Sequence, residues 1–275
     1  MSIPTHTLND GLVLPGIGLG TYKLTGPEGV TSIRSGIDAG YRLLDTATRY
    51  ENEAEVGQAI AESGMRDELI ITTKLPGAAH GFDETMMAFE RSRELLGLDV
   101  IDLYLIHWPN PSANRFVDSW HAMVELQQDG LVRSIGVCNF TPEFLARIID
   151  ATGVTPSVNQ VELHPYFPQA ELRAVHAELG IQTESWSPLA RGSELLTEPV
   201  IRDIAAAHGV TAGQAVLRWH TQLGSIPIPK ATSAERQREN VDIFGFELSA
   251  DEVAAMSGLE RGRLWGGDPT VHEEY

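Results

Sequence analysis

A chain of 275 residues with 42% hydrophobic and 21% charged residues can bury a large core. Its net charge of −18 repels phosphate backbones and anionic lipid, so nucleic acid and membrane surfaces are excluded as first partners. The single cysteine, Cys138, rules out an internal disulfide. Residues 1–10 lack the basic start and apolar stretch of a signal peptide, and no apolar run nears the ~20 residues of a membrane span, so a cytoplasmic location is expected.

The chain opens with Asn9-Asp10-Gly11 between two short apolar stretches, the pattern of a β-hairpin. Short apolar, β-branched runs follow at 17–20, 43–45, 69–74, 101–107, 134–138, 158–161, 181–186 and 225–229. Continuous apolar runs of this length suit parallel strands buried on both faces. The segments between them carry helix punctuation. Thr141-Pro142 reads as an N-cap followed by proline in the first turn, and Thr211–Gln214 and Ser249–Glu252 read as capping boxes. Gly97, Gly130, Gly180 and Gly209 stand where helices should stop. Eight strands alternating with helices predict an α/β (β/α)8 barrel with an N-terminal hairpin, one domain over 1–275; an open doubly wound sheet is the alternative.

Several of these strands end in a residue capable of chemistry: Asp45, Lys74, His107, Asn139, Gln160 and Lys230. In a barrel those C-terminal ends converge on one face, where barrel active sites form. Any one of them alone reads more simply as a solvated strand end; six together, including an acid, a base and a cation, do not. Tyr50 follows Asp45 in the same loop. A free tyrosine, with a pKa near 10, is a weak general acid at neutral pH; a nearby lysine is expected to lower that value, and an aspartate to keep the lysine charged. A neutral His107 is expected to hydrogen-bond and orient a carbonyl oxygen. Such a group suits protonation of a forming alkoxide but holds no electrons, so it requires a hydride-donating cofactor.

Three segments carry a family resemblance. Residues 40–57, GYRLLDTATRYENEAEVG, resemble the first signature of the aldo-keto reductases; 131–140, LVRSIGVCNF, the second; and 228–240, IPKATSAERQREN, the third. The likeness runs from the hairpin to about Asp268 and is strongest to bacterial members of the 2,5-diketo-D-gluconate reductase type. It implies NADPH-dependent reduction of a small aldehyde, ketone, α-dicarbonyl or keto-sugar by a monomer. It also implies roles. Tyr50 matches the proton donor, Asp45 and Lys74 its tuning partners, and His107 the residue that orients the carbonyl. Asn139 and Gln160 match the side chains on the nicotinamide carboxamide, and Trp186 the aromatic that stacks on its ring. Ser187, Leu189 and Gly192 fall in the pyrophosphate loop, while Lys230, Thr232 and Arg236 match the 2′-phosphate pocket and Asn240 the adenine contact. Tyr22 and Trp108 fall where the substrate pocket is lined, with Trp265 a further candidate.

The chain departs from the family pattern at Leu43, Cys138 and Ala231, where histidine, serine, and serine or threonine are usual; Cys138 and Ala231 each remove a hydroxyl near the cofactor. Gly16-Ile-Gly-Leu-Gly20 is not a dinucleotide fingerprint, since its spacing is wrong and no helix opens after it; Gly20 and Thr21 are expected near the cofactor. The remaining histidines show no zinc spacing, so no metal is expected. The tail after Leu259 is short and small, pointing to an open pocket. A cofactor-sensing regulatory barrel with little catalysis is the rival reading, opposed by the presence of all four catalytic residues; a metal-dependent barrel hydrolase comes third.

Overall fold

The computed structural model describes residues 3–274, so the extreme ends of the expected 1–275 domain lie outside it. Two short strands, β1 (Thr5–Thr7) and β2 (Val13–Pro15), pair antiparallel around Asp10-Gly11, with Thr7 opposite Val13. Eight parallel strands follow: β3 (Leu19–Gly20), β4 (Leu43–Asp45), β5 (Ile70–Leu75), β6 (Ile101–Ile106), β7 (Val132–Cys138), β8 (Val158–Glu162), β9 (Gln182–Trp186) and β10 (Ile226–Ile228). Each pairs with the next in sequence order. Two backbone bonds join the ends of the series: Gly18 N–H donates to Pro227 C=O and Gly20 N–H to Pro229 C=O, both at 3.0 Å. The sheet is therefore a barrel, and the open alternative is set aside.

That seam explains the glycines at 18 and 20. A Cβ at Gly18 would lie 2.7 Å from Ile228 Cδ1, and one at Gly20 would lie 3.2 Å from the Ile228 carbonyl oxygen. A side chain at either position would press on Ile228, so glycine eases the close approach of the first and last strands.

Helices α1 (Gly26–Asp38), α2 (Glu53–Ser63), α3 (Phe82–Leu96), α4 (Phe116–Gln128), α5 (Pro142–Thr152), α6 (Ala170–Leu179), α7 (Pro199–His208), α8 (Ala212–Gln222), α9 (Ala234–Val241) and α10 (Ala250–Ser257) cover the outside. The sequence punctuation falls where expected. Thr141 caps α5, and both capping boxes form, at Thr211/Gln214 and Ser249/Glu252. Gly97, Gly180 and Gly209 cap α3, α6 and α7 in left-handed conformation, and Gly130 follows the cap of α4. Helix α7 is an extra element between β9 and α8, and α10 lies beyond the final β/α unit.

The hairpin plugs the N-terminal end of the barrel. Leu8, Leu12 and Leu14 join the inward-facing Leu43, Leu103, Leu105, Val158 and Ile226 in one buried cluster. Asn9 donates to the Pro156 carbonyl and Asp10 accepts from Ser134 Oγ, which fixes the plug. Leu43, at a position where the family has histidine, is fully buried in this cluster, so its difference is one of packing. The lower end of the barrel is filled by apolar side chains.

Candidate active site

At the C-terminal end of the barrel lies a cavity of about 870 Å³. Its floor is polar. Lys74, in β5, is completely buried and points its ammonium at Asp45, the last residue of β4. Both Asp45 oxygens stand 2.7 Å from Nζ, and the Thr46 carbonyl accepts from it at 2.8 Å. Burial pulls the Lys74 ammonium down, but Asp45 outweighs it and holds the lysine charged, well above its ordinary range.

Tyr50 ends a single 3-10 turn, Thr48–Tyr50, that leaves β4. Thr48 donates to the Lys74 carbonyl and Asn52 to the Thr21 and Leu24 carbonyls, so the turn is pinned from both sides. The Tyr50 ring centroid is 5.0 Å from Lys74 Nζ and 5.9 Å from that of His107. The expected lowering of Tyr50 is not found: its phenol is pushed up to about 12. Burial is the largest cause. Lys74 acts in the expected direction, through its charge and a side-chain hydrogen bond, but Asp45 opposes it at Tyr50. Tyr50 is therefore a firmly protonated phenol at neutral pH.

Across the barrel, Gln160 of β8 places its amide nitrogen 2.8 Å from Asp45 Oδ2 and 2.9 Å from Glu184 Oε2. Both N–H groups are consumed, so only the Gln160 carbonyl oxygen remains to serve a ligand, as an acceptor. Asn139 sits in left-handed conformation (φ 62°) just past β7. Its amide donates to the His107 carbonyl at 3.0 Å and accepts from Trp186 Nε1 at 2.8 Å, leaving one N–H and one lone pair. A carboxamide would find an acceptor in Gln160 and a donor in Asn139. Cys138, beside Asn139, is buried, and burial pushes its thiol up, so it is no nucleophile.

Gly20, Tyr22, Asp45, Tyr50, His107, Trp108, Asn139, Gln160, Trp186, Ser187, Leu189, Gly192 and Lys230 all line the cavity. The loop after β9 folds over one end through three left-handed residues, Ser187 (φ 50°), Ala190 (φ 47°) and Gly192 (φ 80°); such conformations in non-glycine residues gather at ligand sites. Thr21 is not in the wall. It is fully buried and donates to the Asp45 carbonyl at 2.9 Å, a support for the acid rather than a ligand contact. Thr232 and Arg236 are exposed and Asn240 is buried, on or just before α9, beyond Lys230 and outside the cavity wall.

Sequence reasoning missed three features. Lys23 and Arg191 line the same cavity as Lys230 and together depress its ammonium, behind burial as the first cause. Among the described residues none of these three cations pairs with a carboxylate. Glu184 lies fully buried against the Asp45–Gln160 pair, with its Oε1 unpartnered. The tail, whose shortness points to an open pocket, adds none of its described residues to the cavity wall but packs against Trp186 and Trp108 of that wall. Leu264 N–H donates to Glu162, the Trp265 ring lies tilted 5.7 Å from Trp186, and a Cβ on Gly267 would lie 2.7 Å from the Trp108 indole.

A barrel whose mouth holds a buried Asp–Lys pair, a protonated tyrosine and a histidine beside a long, cation-rimmed cavity defines an oxidoreductase of the carbonyl-reducing class. The comparisons agree. The profile of the aldo/keto reductase family matches residues 16–261. The chain is 62% identical to 2,5-diketo-D-gluconic acid reductase B of Corynebacterium sp. (strain SHS752001), over 99% of both chains, and 49% identical to an aldo-keto reductase of Mycobacterium sp. (strain KMS), over 98% of both. Among solved structures, a mutant of Gox0644 in complex with NADPH superposes with a TM-score of 0.95 at 44% identity, covering 99% of this chain and 100% of that one. This chain belongs to the aldo/keto reductase family.

Glu184 gives a testable consequence. Burial first, then Asp45, pushes its carboxyl from 4.5 up to about 7. A carboxyl raised in the fold opposes folding wherever it must ionise, so the penalty is absent below about pH 4.5 and complete above about pH 7. Glu184→Gln keeps an acceptor for Gln160 and removes the charge. It is expected to raise stability by under about 1 kcal/mol at pH 5 and by on the order of 3 kcal/mol at pH 8. Denaturant unfolding of both proteins at the two pH values checks this; an equal difference at both contradicts it.

Proposed function

We propose that the chain reduces a carbonyl of a small aldehyde, ketone, α-dicarbonyl or keto-sugar to an alcohol, with NADPH as reductant and Tyr50 as proton donor. The observation that carries the reading is the convergence of Asp45, Tyr50 and His107 at one cavity floor, with Lys74 buried behind it against Asp45. Bound NADPH supplies the hydride. Tyr50 holds its proton until the substrate oxygen becomes an alkoxide, a far stronger base than a phenolate, and then gives it up. Lys74, held charged by Asp45, stabilises the phenolate that remains. His107 faces the same space and orients the oxygen.

The cofactor fits the residues present. Gln160 and Asn139 offer the acceptor and donor that a nicotinamide carboxamide needs, and Trp186 offers a flat face beside them. Ser187, Leu189 and Gly192 would hold the pyrophosphate, with Gly20 in the wall and Thr21 buried behind it, holding the Asp45 backbone. Lys230, Thr232 and Arg236 would hold the 2′-phosphate, joined by Arg191 and Lys23, and Asn240 the adenine. These local cations offset the repulsion that a net charge of −18 imposes on a polyanion. That net charge also disfavours self-association and supports a monomer, and the single buried Cys138 is in keeping with the cytoplasm. Tyr22 and Trp108 would contact the substrate. The 62% identical relative named for diketogluconic acid makes a keto-sugar acid the first substrate to try.

Tyr50→Phe deletes one hydroxyl and keeps the ring. NADPH should bind as before while kcat falls by roughly 10²–10⁴-fold. Fluorescence titration with NADPH and turnover of a good aldehyde test this together; near-normal kcat refutes the assignment. Arg236→Ala should weaken NADPH about ten- to a hundredfold, the loss of one charge-assisted bond, and NADH far less. Dissociation constants for both cofactors at one ionic strength decide it, and equal losses would remove Arg236 from the phosphate pocket.

A further inference from the structure

The tail also reaches a side chain of the site. Glu274 turns back into the protein until its carboxylate Oε1 stands 2.7 Å from Nδ1 of His107. The placement is built, not incidental. Gly77 N–H donates to the other carboxylate oxygen at 2.9 Å, Asn110 Nδ2 donates to the Glu274 carbonyl at 2.8 Å, and Glu274 N–H donates to Asn110 Oδ1 at 3.1 Å. A Cβ on Gly77 would lie 2.5 Å from the Glu274 carbonyl oxygen, so the loop after β5 has room for this segment only because residue 77 is glycine. Asn110 is itself held in left-handed conformation (φ 44°) facing it. Glu274 is almost fully buried. Burial acts to raise its carboxyl, yet His107, the Gly77 amide and Arg49 outweigh it and hold the group below the ordinary carboxylate range.

We propose that Glu274 is a positioning residue for His107: its carboxylate fixes the ring plane and keeps a proton on Nδ1, so that Nε2 is the atom offered to substrate. Two lone pairs cannot sit 2.7 Å apart, so a proton lies between the carboxylate oxygen and Nδ1. The contact is an ion-pair approach whose angle falls short of a well-aligned hydrogen bond, and Nδ1 is sealed from solvent. The backbone of His107 is fixed independently, its N–H donating to the Leu75 carbonyl and its carbonyl accepting from Asn139. What the tail adds is control of the ring. With Nδ1 committed, Nε2 is left to the substrate: it donates to the carbonyl oxygen, as the orienting role requires, when the ring carries its second proton, and accepts from the hydroxyl of the alcohol product when the ring is neutral.

The inference rests on the proposed role of His107, and the test separates the two. Long-range ¹H–¹⁵N spectra of the histidine rings, with His107 assigned through His107→Ala, read the tautomer directly in the protein without cofactor. At one fixed pH the wild type should show the proton on Nδ1. Glu274→Ala should release the ring and shift His107 toward the Nε2-protonated form, and the lost positioning should lower kcat/KM for carbonyl reduction by up to roughly a hundredfold. NADPH affinity should be unchanged. Glu274→Gln, which keeps an acceptor oxygen, should restore the Nδ1 form and most of the activity; a tail that served only as a structural clasp would show no such rescue of the tautomer. An unchanged His107 spectrum in Glu274→Ala overturns the proposal. A changed spectrum with unchanged turnover upholds the hold on the ring and instead refutes the orienting role of His107.

Discussion

Everything at the mouth of this barrel is arranged around one buried ion pair, Lys74 with Asp45. Two opposite charges without access to water are costly to desolvate, and they persist only where geometry and hydrogen bonding are complete. Here they are: the ammonium donates to Asp45 and the Thr46 carbonyl, and Asp45 also accepts from Gln160. The pair thus ties β4 to β5 and reaches across the barrel to β8. Removing either partner would strand a buried charge, at a cost of about 3–5 kcal/mol.

Because the two charges nearly cancel, the pair exerts less pull on its surroundings than a lone lysine would. Tyr50 feels Lys74 and Asp45 in opposite directions, and burial decides the balance in favour of the neutral phenol. Glu184, below the same pair, is pushed up for the same reasons, burial and the nearby Asp45. The site therefore stores protons. Tyr50 is a weak acid toward water and an adequate one toward an alkoxide, so proton release is coupled to the reaction that makes the alkoxide.

The parts legible in the sequence were those set by local chemistry. Capping boxes at Thr211 and Ser249, the proline after Thr141 and glycine stops all act within one helical turn, and each appears where its residues stand. The strand-end residues were legible because a parallel barrel sends every strand's C-terminal end to the same face. Thr21 was misassigned because sequence adjacency to Gly20 says nothing of direction: one faces the cavity, its neighbour the Asp45 backbone. Lys23 and Arg191 stand far apart in the sequence and meet only in the folded mouth. The direction of Tyr50's shift is not legible because a sequence reveals the neighbouring charge but neither the depth of burial nor how closely Asp45 offsets the lysine.

The central claim is that this self-neutralised pair leaves Tyr50 protonated well beyond the ordinary tyrosine value of about 10. The ¹³Cζ resonance of Tyr50, assigned by its loss in Tyr50→Phe, measures this directly in the protein without cofactor. Followed from neutral pH to about one unit below the value of about 12, it should keep the shift of a phenol throughout. A titration midpoint below about 10 would show that Lys74 outweighs both Asp45 and burial, and would contradict the account.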